Sequence, residues 1–140
     1  MALLAAALAL IACNGSGTGP PVPATPGPTV LVAGDPVPAA QMTDALANLC
    51  TARDEAPDSP GAAQARFFSR SHTTLHLVAR ALEDVDRPLA ARLLEAKQKV
   101  EADFSNGASG GQVADDLRPL VTVTADSLDR LAVPLPPCAK

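Results

Sequence analysis

The chain reads as all-α: an antiparallel up-down-up-down four-helix bundle spanning residues 38–140, behind an N-terminal apolar run and a Pro/Gly-rich linker. Two observations predict it. Apolar residues recur at helical spacing in four separate segments, and the links between those segments are mostly short and built from capping and breaking residues. With the helical patterns all following Pro36, about a hundred residues must build the core, which is one domain.

The first helix is expected from Pro38, a residue suited to an initial turn, to about Glu55, with Met42, Leu46 and Leu49 as its stripe and Ala45 and Cys50 beside them. Ala56-Pro57-Asp58-Ser59-Pro60-Gly61 breaks it. Ser59 and Pro60 then form a cap and first-turn pair for a second helix that carries Phe68, Leu75, Ala79 and Leu82 on one face. Pro88 lacks the amide that would bond the carbonyl of Asp84, so a tight turn is expected there, with Asp86 capping a third helix. That helix repeats Leu89, Leu93, Ala96, Val100 and Phe104, and Ser105-Asn106-Gly107 and Ser109-Gly110-Gly111 end it. A fourth helix is expected from Val113 or Leu117 to Ala132, with Pro119 in or near its first turn. Leu117, Leu120, Val121, Thr124, Ala125, Leu128 and Leu131 share its face. Lys97 with Glu101 and Asp126 with Arg130, each four apart, mark solvated faces.

The longest helical stretch, Ala62 to Phe104, contains both histidines. His72 and His76 are four apart, so they project from one helix face about 6 Å apart along the axis. Two imidazoles at that spacing can grip copper or zinc. His72 lies roughly 70° from the centre of the apolar stripe and His76 roughly 110°, which puts the first at the core boundary and the second nearer the rim. A third ligand has to come from a neighbouring helix, and the candidates are Met42, Asp44, Asp115 and Asp116; Glu83 is about 10 Å too far along the axis. The competing reading is a boundary histidine and a surface histidine with no metal.

Other chemistry lacks residues to carry it. Gly107-Ala108-Ser109-Gly110-Gly111 spells a nucleophile elbow but falls between two helices instead of on a strand-to-helix turn, so it reads as a glycine linker. Phosphate loops, H-E-x-x-H, C-x-x-C and Glu-x-x-His pairs are absent, and no catalytic residue is assigned. Asp115 and Asp116 point about 100° apart on a helix and read as solvated charges near its start. A net charge of -4, with no Trp or Tyr, argues against a nucleic-acid partner, which needs clustered cations and stacking rings.

The N-terminal segments place the domain. Met1 to Ala12, MALLAAALALIA, is too short to span a bilayer, and it fits the apolar core of a signal peptide. It lacks a preceding Lys or Arg, from which we expect translation to begin upstream of Met1. Leu10-Ile11-Ala12-Cys13 resembles the lipobox of bacterial lipoproteins. That resemblance covers this segment alone. It implies cleavage before Cys13, acylation of the Cys13 thiol and of the new amino terminus, and a domain held at the cell membrane on its extracytoplasmic side.

Residues 13–37 follow as the lipidated cysteine and a Gly-, Ser-, Thr- and Pro-rich stretch with almost no charge, expected to be a disordered spacer about 3.1 Å long per extended residue. Val30-Leu31-Val32 is its exception, an apolar patch able to dock on the domain. With Cys13 assigned to lipid, the exported context implies that Cys50 and Cys138 pair as a disulfide, the alternative being two buried thiols. In an up-down bundle Cys50 sits about 18 Å up the first helix, so Val133 to Cys138 must run back up beside that helix as an extended tail. The resulting expectation is a membrane-anchored, non-enzymatic domain that binds an envelope protein or serves a structural role, with metal binding through His72 and His76 as the alternative.

Overall fold

A computed structural model describes residues 27–139. The protein is mostly helical, with a small two-stranded sheet in front. Strands β1 (Thr29–Val32) and β2 (Asp35–Pro38) form an antiparallel hairpin. Helix α1 covers Ala39–Glu55, α2 Pro60–Arg66, α3 His72–Leu82, α4 Arg87–Ser105 and α5 Gly110–Arg130, and a 3₁₀ turn at Pro137–Ala139 ends the tail. α2 and α3 are joined through a π-helical turn, Phe67–Ser71, so the second expected helix is one continuous but irregular rod. α5 packs on α4 and α1, and α3 packs on α4 and α1. Among the described residues no helix is long and apolar enough to cross a membrane.

The core contains the stripes expected from periodicity. Met42, Leu46, Leu49 and Cys50 of α1 meet Leu75, Val78 and Leu82 of α3, Leu93 and Val100 of α4, and Leu117, Leu120 and Leu128 of α5. Asp86 caps α4 as expected, its carboxylate accepting from the Leu89 amide at 3.0 Å. Ser59 precedes Pro60 at the start of α2, but its side chain makes no capping bond.

Four expectations are corrected. The linker was expected to remain unstructured up to residue 37, yet Thr29–Pro38 is a hairpin whose Val32 and Val37 are buried against the helices. Its turn at Ala33 and Gly34 has φ of 51° and 92°, both left-handed, the geometry that matches strand twist in a two-residue hairpin. So the patch Val30-Leu31-Val32 docks, as one strand of a pair.

The π turn exchanges the places of two phenylalanines. Phe68 was placed in the core, but Phe67 is the buried ring at 0% exposure while Phe68 is 42% exposed. A π turn takes one residue more than an α turn, which rotates everything before it by about one position relative to α3. Counting back from Leu75 through that turn brings Ser71 and Phe67 inward; the buried Ser71 hydroxyl donates to the Ala45 carbonyl at 2.9 Å.

α5 begins at Gly110, well before Val113, and Pro119 lies in its interior. A side chain at Gly110 would collide with the carbonyls of Ala56 and Pro57, so glycine lets the start of α5 seat against the turn after α1. Two charged side chains also lie elsewhere than expected. Lys97, expected outward, is 3% exposed, because Leu93, Lys97, Val100 and Phe104 make the buried row with Ala96 half-buried beside it. Arg130 turns from Asp126 toward the cap of α4, its guanidinium 3.9 Å from Asp86 and donating to the Val85 carbonyl.

The tail follows the expected path. Val133 is buried, the Thr43 hydroxyl donates to the Pro134 carbonyl at 2.7 Å, and Cys138 reaches Cys50 with their sulfurs at disulfide distance and Cα atoms 6.3 Å apart. Cys50 is buried and Cys138 exposed, so this link lies at the surface end of the α1 groove.

Candidate functional site

The two histidines stand at the seam between α3 and α4, with His72 half-buried and His76 exposed, the boundary and rim positions expected. Their rings sit 5.2 Å apart, edge to face. Across the seam Glu101 comes from α4: His72 Nε2 lies 2.6 Å from Glu101 Oε1, and the buried Lys97 ammonium donates to the same oxygen at 2.7 Å. One carboxylate oxygen thus serves an imidazole and an ammonium.

The electrostatics follow from this geometry. Burial alone would raise the Glu101 carboxyl, but hydrogen bonds and charge from Lys97, then His72, outweigh it and hold its pKa below the ordinary value. His76 is also held below its ordinary value, first by desolvation and then by the positive charges of Lys97 and His72, with Glu101 opposing. His76 therefore favours its neutral form, which can accept a hydrogen bond or bind a cation.

An aromatic patch surrounds the network. Phe67 packs edge-on against Phe68 at 5.0 Å and lies 5.6 Å from Phe104, and Phe68 is 5.4 Å from the His72 ring. All three phenylalanines and both histidines of the chain therefore meet at one place. The π turn makes this possible. It sends Phe67 into the core as an anchor and leaves Phe68 outside beside His72.

Sequence reasoning brought His72 and His76 together but missed their partners. Of the proposed third ligands, Met42 is fully buried in the core, Asp44 is exposed on α1, Asp115 pairs with Arg118 at 3.1 Å, and Asp116 pairs with Lys99 at 2.6 Å. None joins the histidines. Among the described residues no group of three or more His, Cys, Asp or Glu is placed to hold a metal ion. The missed residues left one signal: Lys97 falls between Leu93 and Phe104 on the buried row, and a lysine there needs a nearby carboxylate, which Glu101 supplies one turn on. Its reach to His72 across helices had no sequence signature.

No protein-family model matches the chain, and no curated protein or solved structure is similar to it. The reading of this face rests on its own chemistry: a half-exposed aromatic ring, a neutral imidazole and a shielded ion pair.

A second polar cluster at the α4–α5 seam is closed. Lys99 bridges to Asp116, which also accepts from the Gln112 amide, and burial of the Asp116 carboxyl is outweighed by these donors so that its pKa falls. Beside it Asp103 Oδ2 is buried without a hydrogen-bond partner, and burial, followed by the neighbouring Asp116, pushes the Asp103 carboxyl up. Cys13, the expected lipid-attachment residue, lies outside the described residues.

Proposed function

We propose that the chain is a lipid-anchored, non-enzymatic domain on the extracytoplasmic side of the cell membrane, presenting a helical face to an envelope protein. The observation that carries this reading is the Cys50–Cys138 pair at disulfide distance. A pairing of that kind fits an oxidising compartment, and it leaves Cys13 as the odd cysteine at the lipobox position. The hairpin then comes at the foot of the domain, and the helices rise from it in up-down-up-down order. Two cross-seam contacts support that order for α4 and α5: Lys99 meets Asp116 while Asp86 meets Arg130, so positions increase along one helix as they decrease along the other.

The docking face in this proposal is the Phe68, His72 and His76 patch. An aromatic ring flanked by polar groups fits the composition of interface anchors, in which a few such residues carry most of the binding energy. The test begins with the anchor. Cys13→Ala should move the protein from the membrane fraction to the soluble extracytoplasmic fraction, and unchanged membrane retention contradicts the proposal. For the face, in-cell cross-linking from position 76 should capture an envelope protein, and adding Phe68→Ala should abolish the capture.

The alternative, copper or zinc held by His72 and His76, draws support from the 5.2 Å ring separation and the nearby Glu101. Lys97 opposes it, since its ammonium sits where it would repel a cation. Titration with Cu(I), Cu(II) and Zn(II) separates the readings: binding below about 10 µM, about 7 kcal/mol, that is lost in a His72→Ala, His76→Ala double variant supports the metal.

A further inference from the structure

The tail after α5 is tied to α1 by one covalent link and little else. Pro134, Pro136 and Pro137 have no amide to donate. Among the described residues no backbone hydrogen bond joins residues 134–139 to a helix: the Val133 amide bonds to the Leu128 carbonyl at the end of α5, and the Ala139 amide bonds to the Pro136 carbonyl within the tail. What crosses to α1 is the hydrogen bond from the Thr43 hydroxyl to the Pro134 carbonyl and the link from Cys138 to Cys50. Apolar cover is thin as well. Pro136 is buried, Leu135 and Ala139 are half-buried, and Pro134 and Pro137 are exposed. Ordering six residues costs backbone entropy at each position, less at the prolines, and burying one proline with parts of a leucine and an alanine offsets only a fraction of it. With Cys138 tied to Cys50 both ends of the tail are fixed, and most of that entropy is already lost. The link therefore decides whether the tail is docked.

The bundle does not share this dependence. Met42, Leu46 and Leu49 of α1 pack with α3, α4 and α5, and the tail adds only Val133 to the buried core, with Leu135 and Ala139 against its edge. Val133 stays with α5 through its bond to Leu128. The two cysteines also differ in access, since Cys50 is 2% exposed whereas Cys138 lies open to solvent.

We propose that the Cys50–Cys138 disulfide is a redox-operated latch on this strap, opened by a dithiol reductant while the bundle stays folded. A thiolate of the reductant attacks the exposed Cys138 sulfur and forms a mixed disulfide there; the Cys50–Cys138 bond breaks, and its electron pair leaves on the Cys50 sulfur, which takes up a proton. The reductant's second thiolate then attacks the reductant sulfur of the mixed disulfide. Cys138 leaves with the electron pair and is protonated, and the reductant departs as a disulfide, so two electrons and two protons have passed to the protein. Residues 134–139 then lift from α1 and uncover Cys50. This latch rests on the same disulfide as the proposed function and is independent of the lipid anchor and of the α3–α4 face.

Dithiothreitol added to the oxidised full chain without denaturant tests it, read by iodoacetamide labelling with mass spectrometry and by residue-resolved amide hydrogen exchange. Peptide mapping of the starting protein comes first, and two free thiols there overturn the latch together with the reading of the compartment. With the disulfide in place, dithiothreitol should expose both Cys50 and Cys138 to labelling and speed exchange of the Ala139 amide at least about tenfold, while the Leu75, Leu93 and Leu120 amides keep their protection. Three results overturn the latch and leave the compartment reading standing. The disulfide yields to dithiothreitol only in unfolding urea; Cys50 stays unlabelled after reduction, because the strap remains seated without its link; or the core amides lose protection together with Ala139, because the link staples the whole fold.

Discussion

Along α1 the tail is held by apolar burial of Val133, the hydrogen bond from Thr43 to Pro134 and the Cys50–Cys138 pair. At the α3–α4 seam the chain instead brings an imidazole and an ammonium to one carboxylate under half-exposed aromatic rings. The first arrangement resists opening and fixes the end of the chain against α1. The second has an unneeded apolar surface and neutral imidazole facing solvent, and its burial is incomplete. The difference separates what holds the fold from what the fold displays, and the two phenylalanines of the π turn divide along the same line.

That division gives the largest expected effect. Phe67→Ala should cost about 3–5 kcal/mol of stability in urea denaturation, as expected for emptying a core site, whereas Phe68→Ala should cost less than about 1 kcal/mol. A larger loss for Phe68→Ala than for Phe67→Ala would mean that the helix runs through the turn with α geometry. Next comes the tail. Cys138→Ser should lower stability by about 2–4 kcal/mol under oxidising conditions, because the link closes a loop of 88 residues in the unfolded chain, and with reductant present the wild type should match the variant.

The polar seam should respond to pH. The Glu101 carboxyl is held below its ordinary value in the folded protein, so it contributes stability that is full above the unfolded value, near 4.5, and is lost as pH falls through the folded one. Lys97→Met removes the main cause. We expect the variant to be about 1–2 kcal/mol less stable at pH 7 and its stability to fall less between pH 5 and pH 3 than that of the wild type. The His76 imidazole, also depressed, acts in the same sense at higher pH: its contribution is full above about 6.5 and declines on acidification.

The smallest effect has the opposite sign. Asp103 has a raised carboxyl, so its ionisation costs stability as pH climbs above the unfolded value toward the folded one. Asp103→Asn, which can donate to Asp116 without a charge, should stabilise the protein at pH 7 by about 0.5–1 kcal/mol in thermal denaturation.

Much of this was legible from residue spacing. The stripes of α1, α3, α4 and α5, the Asp86 cap and the return path of the tail all follow from period, proline placement and reach. What was not legible has physical causes. Prolines at 36 and 38 disguise a strand, because the alternation that closes its outer edge looks like linker composition. A π turn leaves no mark in the apolar period except a phase slip, so Phe67 and Phe68 exchange places. Pro119 stands inside α5 because Gly110 lets the helix begin early, at a contact with the α1–α2 turn that only three dimensions disclose. The histidine site was half readable: one helix fixes the spacing of His72 and His76, but Glu101 and Lys97 reach them across a seam.

The most direct test of the central claim, a domain clipped by Cys50 and Cys138 and anchored through Cys13, is non-reducing peptide mass spectrometry of the membrane fraction. The account predicts a diacyl- or triacyl-modified peptide beginning at Cys13 together with a cross-linked pair of peptides containing Cys50 and Cys138. An intact peptide from Met1 through Cys13, or Cys13 found in a disulfide with either of the other two, would contradict it.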